Sequence, residues 1–274
     1  MIKNTLTIAG VDPSGGAGIL ADVKAMSALG TFATAVIAAL TAQNTQSVTG
    51  ILPITPDFIG LQMDTLFQDV RIDGVKIGML GHEPVIKMIA DKLEKYQPPF
   101  IVLDPVMVAK SGDLLLEEKA VSALIEALIT QAHMITPNLP EAGVILNRRA
   151  PESIKEMYTV AELLHALMNH SRESWVLLKG GHLPNNDTID LLFNGDKMIE
   201  IANPKIHTKN THGTGCSLSS AICALQARLR DVPEATRQAV AFIHQSIAHA
   251  DLLTVGHGHG PIHHFHKTWQ NEVQ

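Results

Sequence analysis

Short β-branched or apolar runs alternate with longer stretches of helical periodicity through most of this chain, and that alternation restricts its fold more than any other feature. Strands that come singly, each followed by a helix, pair in parallel through crossover connections and build a mostly parallel sheet. Strands are predicted at residues 5–9, 33–39, 74–77, 100–103, 134–136 and 175–178. Between them, the first loop leads into a helix carrying Ile19, Leu20, Val23, Met26 and Leu29 on one stripe, and further helices are predicted at 57–67, 84–96, 119–131 and 160–169. After Lys179 the rhythm changes to two short strands, 189–193 and 198–201, joined by Asn194-Gly195, a dipeptide that favours a tight hairpin. Helices over 214–229 and 233–253 then lead to a tail rich in glycine and histidine. The expectation is an α/β fold with a doubly wound, mostly parallel central sheet and helices on both faces, forming a single domain over residues 1–274.

In such sheets ligands bind beyond the carboxyl ends of the strands, so the residues following each strand are the candidates for chemistry. They are Gly10 to Gly18, Thr41-Ala42-Gln43-Asn44, Gly78-Met79-Leu80, Asp104-Pro105-Val106, Pro137 to Glu141 and Lys179-Gly180-Gly181. A further run, Asn210-Thr211-His212-Gly213-Thr214-Gly215-Cys216, precedes an amphipathic helix. Two glycines let its backbone turn and aim N–H groups, and the helix N-terminus adds partial positive charge, which suits an anion. No Walker-type run and no complete Gly-x-Gly-x-x-Gly spacing is present, so both common nucleotide motifs are disfavoured. A net charge of −6 argues against nucleic acid as the main partner. Although 46% of residues are hydrophobic, no apolar run approaches the roughly 20 residues of a membrane span. No secretory leader is evident, and Cys216 and Cys223 are too far apart along one helix, about 10.5 Å of rise, to bridge. A cytoplasmic address with reduced thiols is expected.

Ala9-Gly10-x-Asp12-Pro13-Ser14-Gly15-Gly16-Ala17-Gly18, Thr41-Ala42-Gln43-Asn44-Thr45, Lys76-Ile77-Gly78-Met79-Leu80, Thr136-Pro137-Asn138-Leu139-Pro140-Glu141, Lys179-Gly180-Gly181-His182 and the run from Asn210 to Cys216 stand in order along the chain. This series resembles the hydroxymethylpyrimidine and phosphomethylpyrimidine kinases of thiamine biosynthesis, members of the ribokinase superfamily. The likeness runs from about Thr5 to Trp269, and departs from the usual pattern at Val11 and Leu20. It implies two ATP-dependent transfers to a small pyrimidine, first onto its alcohol and then onto the phosphate just made, with Mg²⁺ as companion ion and a homodimer as the assembly. A pyridoxal kinase of the same superfamily is the nearest alternative, and a noncatalytic pyrimidine sensor is a third reading.

Carried onto this sequence, the resemblance implies substrate contacts from Gln43, Gly10, Ala17, Asp22, Met79 and Val106. It implies ATP contacts from Lys179, Asn138, Glu141, Thr208, Thr211, Gly213, Thr214 and Gly215, a metal held by Asp104 and Glu141, and catalysis at Cys216 with Gly213, Gly215 and Lys179. Each has a plainer alternative. Gln43 pairs well with an aminopyrimidine edge, yet a loop amide also caps turns. Met79 and Val106 suit an apolar ring or ordinary packing, and Asp22 a substrate hydroxyl or solvent. Asn138 and Glu141 bracket a favoured helix start, Lys179 suits a phosphate or a structural ion pair, and His212 shapes its loop. A cysteine at a helix N-terminus is expected to ionise below its ordinary value of about 8.5, giving Cys216 a thiolate for the alcohol proton, against the alternative of a small buried thiol. The tail residues His257, His259, His263, His264 and His266 match no metal spacing and read as a packed terminal segment.

Overall fold

A computed structural model describes residues 1–107, 118–181, 183 and 187–269; His182 lies outside the described residues. Its strands are β1 (Lys3–Val11), β2 (Thr31–Gln43), β3 (Val48–Pro53), β4 (Gly74–Ile77), β5 (Ile101–Leu103), β6 (Met134–Ile135), β7 (Trp175–Leu178), β8 (Asp187–Phe193) and β9 (Met198–Pro204). They form one sheet in the order β3-β2-β1-β4-β5-β6-β7-β8-β9. The pairs from β2 through β1 and β4 to β7 are parallel, whereas β3 on one side and β8 and β9 on the other pair antiparallel. The expected hairpin forms at Asn194-Gly195, with Gly195 at φ +93°.

Helices α1 (Gly18–Ala28), α7 (Thr214–Leu229) and α8 (Val232–Ala248) cover one face. Helices α2 (Pro56–Asp69), α3 (Glu83–Tyr96), α4 (Glu118–Ala123), α5 (Leu139–Ile145) and α6 (Ile154–His165) cover the other. Strand alternation assigns side chains to these two cores. Leu6, Ile8, Val75, Ile77, Ile101 and Leu103 enter the α2–α6 side, and Val102, Trp175 and Leu177 the α1–α7–α8 side. The same parity sends Thr7 and Lys76, register partners across β1 and β4, toward α1 and α7.

Several sequence expectations are corrected. β2 continues to Gln43 and pairs with β3, an edge strand whose side chains are largely exposed and therefore carry no core-facing alternation. The helix expected at 119–131 is a short α-helix followed by a π-helical turn, Leu124–Ile129. The helix expected at 160–169 starts earlier, at Ile154, because Ser153 accepts the Glu156 N–H as its cap, and it ends at His165. α8 stops at Ala248, and a 3-10 turn, Ala250–Leu252, follows.

Strand order reverses at β1, which sends its successor β2 to one side and β4 to the other. The crevice created there lies beyond the carboxyl ends of β1 and β4, where Gly10 and Met79 stand.

One half-buried and one buried imidazole give the fold an acid liability. Ile101 N–H donates to His133 Nδ1 at 3.1 Å, and burial together with Arg172 lowers that ring to about 4. His264 lies 2.7 Å from the Ser217 hydroxyl through Nε2, and burial with Lys24 nearby lowers it to about 3. Below the ordinary imidazole value of about 6.5 the unfolded chain takes up protons that these rings refuse, so stability falls as pH drops from about 6.5 toward 4. The urea midpoint is expected to be lower at pH 5 than at pH 7, and His264→Gln to reduce that difference.

Candidate active site

Two loops meet at the N-terminus of α7. Gly213, at φ +74°, caps the helix, and a Cβ on it would lie 1.7 Å from the Gly16 carbonyl oxygen, so only glycine permits this approach. Asp12 ties the seam together. Its Oδ1 accepts the Ser14 N–H at 2.8 Å, its Oδ2 accepts the Ala17 N–H at 3.0 Å, and His212 Nε2 lies 2.8 Å from the same Oδ2. Burial works against the Asp12 charge, but His212 and the Ser14 contacts outweigh it and hold this carboxyl below its ordinary value. The sequence series contains Asp12, yet its role as the clamp between two distant loops emerges only from the fold.

Lys179 extends from the end of β7 to Asp104, Nζ to Oδ1 at 3.2 Å, with 15% of its side chain exposed. Thr136 donates to that same oxygen at 3.2 Å and Ser219 to Asp104 Oδ2 at 3.3 Å. The ion-pair alternative for Lys179 is thus realised, and it does not remove the lysine from the loop. A Cβ on Gly215 would lie 3.4 Å from Lys179 Nζ and 3.8 Å from Asp104 Oδ2, so the ammonium stands against the first turn of α7. Burial disfavours its charge, but Asp104 and Glu141 raise the Lys179 pKa above its ordinary value. Glu141 and Asn138 form a capping box at α5: Asn138 Oδ1 accepts the Glu141 N–H, and Glu141 Oε2 accepts the Asn138 N–H, both at 2.8 Å. Burial pushes Glu141 up to about 7, with Lys179 opposing and Asp104 adding to the rise.

The other side of the crevice is less polar. Met79 Cε would lie 3.1 Å from a Cβ on Gly10, and the β1–β2 register shifts between Ala9 and Gly10. Half-buried Met79 and Val106 follow β4 and β5, and Ala17 caps α1. Gln43 ends β2, its Oε1 3.2 Å from the Thr41 hydroxyl, which also donates to the Val11 carbonyl at 2.9 Å.

Two expectations change. Asp22 does not face the crevice: it is fully buried, and its oxygens receive Lys76 at 2.7 Å, Thr7 at 2.6 Å and Ser220 at 2.8 Å. Nor is the Cys216 pKa lowered by its helix terminus. The residue is half-buried while its thiol is enclosed, and burial pushes it up to about 11, with Lys76 opposing and Asp22 and Asp104 adding to the rise. The thiol is therefore neutral at neutral pH. Lys76 stands in the sequence series without a role assigned to it, although it left one signal: a lysine inside a strand whose neighbours are all apolar or glycine.

Thr214 Oγ1 donates to the Thr211 carbonyl at 2.8 Å within the loop. Thr208 joins the start of the loop, its hydroxyl accepting the Asn210 N–H at 3.1 Å and donating to Asp251 at 2.8 Å, while the Asn210 amide donates to the same carboxylate at 2.7 Å. The tail threads between the loops: His259 N–H donates to the Thr45 carbonyl, Gly258 N–H to the Thr45 hydroxyl and Gly260 N–H to Asn210 Oδ1, while Gly260 accepts from His212 N–H. Among the described residues no three His, Cys, Asp or Glu side chains group to hold a metal, the tail histidines included.

The profile described as phosphomethylpyrimidine kinase matches residues 12–263. The chain belongs to the phosphomethylpyrimidine kinase family. It is 47% identical over 266 residues to the hydroxymethylpyrimidine/phosphomethylpyrimidine kinase of Escherichia coli, covering 97% of this chain and 98% of that one. A crystal structure of the phosphomethylpyrimidine kinase of Clostridium difficile superposes with a TM-score of 0.79 at 38% identity, covering 89% of this chain and 99% of that one. The Bacillus subtilis pyridoxal kinase solved as an ADP complex superposes with a TM-score of 0.88 at 31% identity, covering 97% and 98%. The family's ribokinase-like fold is thus that of this chain, and the site described above occupies its strand ends.

The seam between the loops makes a sharp prediction. Gly213→Ala introduces a Cβ into the Gly16 carbonyl at a positive φ, so a loss of roughly 2 kcal/mol or more of stability is expected together with near-complete loss of kinase activity. Thermal unfolding and an ATP-consumption assay check both.

Proposed function

We propose that this chain transfers the γ-phosphoryl group of ATP to the hydroxymethyl oxygen of 4-amino-5-hydroxymethyl-2-methylpyrimidine, and then a second phosphoryl group to the phosphate so formed, as a cytoplasmic step of thiamine biosynthesis. The observation that carries this reading is the convergence of Lys179 and the α7 N-terminus at Gly215, beyond the same strand ends as Gln43, Gly10 and Met79. One end suits phosphates, and the other suits a flat aminopyrimidine.

Phosphoryl transfer runs through a loose transition state, so catalysis is mainly positioning and charge neutralisation. Lys179 and the N–H groups of the α7 turn meet charge on the transferring group. Gln43 orients the ring by its amide, and Met79 and Val106 contact the ring's apolar face. Cys216 takes the alcohol proton as a thiolate, which burial keeps a minor species at neutral pH. The second acceptor is already an oxyanion and needs no deprotonation; a neutral thiol admits it where a carboxylate would repel it. Mg²⁺ would neutralise phosphate charge. Asp104 and Glu141 would hold it through water: both are carboxylates set around Lys179 beside the α7 turn, the oxygen donors this ion prefers. The free thiols Cys216 and Cys223 suit a reducing compartment. A homodimer would cover the apolar patch made by the register partners Leu40 and Leu52, 40% and 62% exposed on one face of the β2–β3 pair.

Mass detection of products over time is expected to show the monophosphate, then the diphosphate, from the hydroxymethylpyrimidine. Pyridoxal consumed with comparable kcat/KM and no diphosphate formed would instead favour the pyridoxal kinase reading. Because the Cys216 thiol stays protonated until well above neutrality, the rate of the first transfer is expected to rise steadily from pH 7 to 9 while the second changes little. Cys216→Asp should slow phosphorylation of the monophosphate more than that of the alcohol; equal effects on the two steps would refute the role of thiol neutrality. Lys179→Ala is expected to lower kcat roughly 100-fold or more for both steps.

A further inference from the structure

Beneath the anion loop lies a closed cluster that the scheme above does not use. Lys76 and Asp22 are fully buried and paired at 2.7 Å, with Thr7 donating to the same Asp22 oxygen at 2.6 Å and Ser220 to the other at 2.8 Å. The four side chains come from β4, α1, β1 and α7, and strand parity alone places Thr7 and Lys76 side by side on the α7 face. A buried ion pair is a poor stabiliser compared with apolar packing, so its presence calls for another role.

The geometry of α7 against β4 indicates one. Near the lower end, Cys223 Sγ would lie 3.1 Å from a Cβ on Gly74. One level up, Ser220 and Lys76 share Asp22. The next level up on the strand is Gly78, about 6.6 Å along β4 from Lys76, and the next turn of the helix is Cys216, about 6 Å along α7 from Ser220. Gly78 has no side chain, and Lys76 Nζ fills the space, 2.8 Å from where its Cβ would be. The ammonium is thus displaced upward, toward the level of Cys216.

We propose that Lys76 is a positioning residue of the first transfer: its buried ammonium, raised past Gly78 and anchored by Asp22, supplies the fixed positive charge that stabilises the Cys216 thiolate. This rests on the reading of Cys216 as the proton acceptor. The thiol first loses its proton to solvent. In the transfer the acceptor oxygen bonds the γ-phosphorus, the bond to the ADP oxygen breaks, and the acceptor proton passes to the thiolate; Lys76 keeps its own proton throughout. The charged and polar groups that act on the thiol are Lys76 from β4, Asp22 from α1, Asp104 after β5, Lys179 after β7 and the Gly18 N–H. Lys76 and Gly18 favour the charged sulfur, whereas burial, Asp22 and Asp104 oppose it. The same ammonium offers little to the second step, which moves no proton to sulfur.

The test is the rate of iodoacetamide alkylation of Cys216 at pH 8.5, read by peptide mass spectrometry in the full-length protein. Below its pKa a thiol alkylates in proportion to its thiolate fraction, so a change of one unit reads as tenfold in rate. Asp22→Asn is expected to accelerate alkylation at least about tenfold, and Lys76→Met to slow it by a similar factor. The double variant D22N/K76M, which removes both charges together, should return near the wild-type rate. If Lys76→Met does not fold, D22N against D22N/K76M decides, because these differ only in the ammonium. Equal rates in that pair, or single variants that shift the rate in the same direction, overturn the proposal. In turnover, loss of Lys76 should depress alcohol phosphorylation more than monophosphate phosphorylation. Undiminished alcohol phosphorylation by Cys216→Ala would remove the reading on which the proposal rests, whereas the alkylation comparison would still report on the charge.

Discussion

The site is held by a backbone contact that no side chain could survive. Gly213 lies against the Gly16 carbonyl, a Cβ on Gly16 would strike the His212 ring at 2.3 Å, and one on Gly18 would strike the Gly10 carbonyl at 2.3 Å. The loop after β1 and the loop before α7 are thereby pressed into one surface. The Asp12 carboxylate adds direction to what would otherwise be only close packing, since it accepts from two backbone amides of one loop and faces the histidine of the other. With the N-terminus of α7 fixed there, Gly215 falls beside Lys179 and Cys216 above the Lys76 cluster.

Charge is the second organising constraint. Two lysines are drawn below the surface, each with a carboxylate partner: Lys76 with Asp22 and Lys179 with Asp104. Their partners differ in exposure to the chemistry. The Lys76 pair is sealed, so it can act only as a field, whereas Lys179 retains some solvent access at the edge of the crevice. A neutral thiol between the two pairs adds no negative charge against an anionic acceptor.

Much of the architecture was legible because parallel strands buried on both faces read as dense apolar runs, as at Val75 and Ile77 or Trp175 to Leu178. β3 escaped notice because an exposed edge strand has no core to impose a period on it. The glycines and Lys179 could be placed at strand ends from sequence. Asp22 was misassigned because one turn into a helix is compatible with either direction, and only the packing of α1 against α7 turns it inward. The ionisation of Cys216 was misjudged for a related reason: a helix terminus is visible in a sequence, but the enclosure that outweighs it is not. Asp12 and His212, 200 positions apart, meet only through topology.

The same separation governs how the protein matures. Thr45, just beyond Gln43, is bound by Gly258 and His259 from a segment 213 residues later. A folding chain can thus assemble β1, β2 and their crossover while the Gln43 end of the crevice still lacks these backbone partners. Contacts of such long sequence separation form late because their loop-closure entropy is offset only once the intervening structure is in place. The strand-end surface beyond Gln43 is therefore completed after most of the sheet, and an intermediate that holds only the sheet lacks these closing contacts.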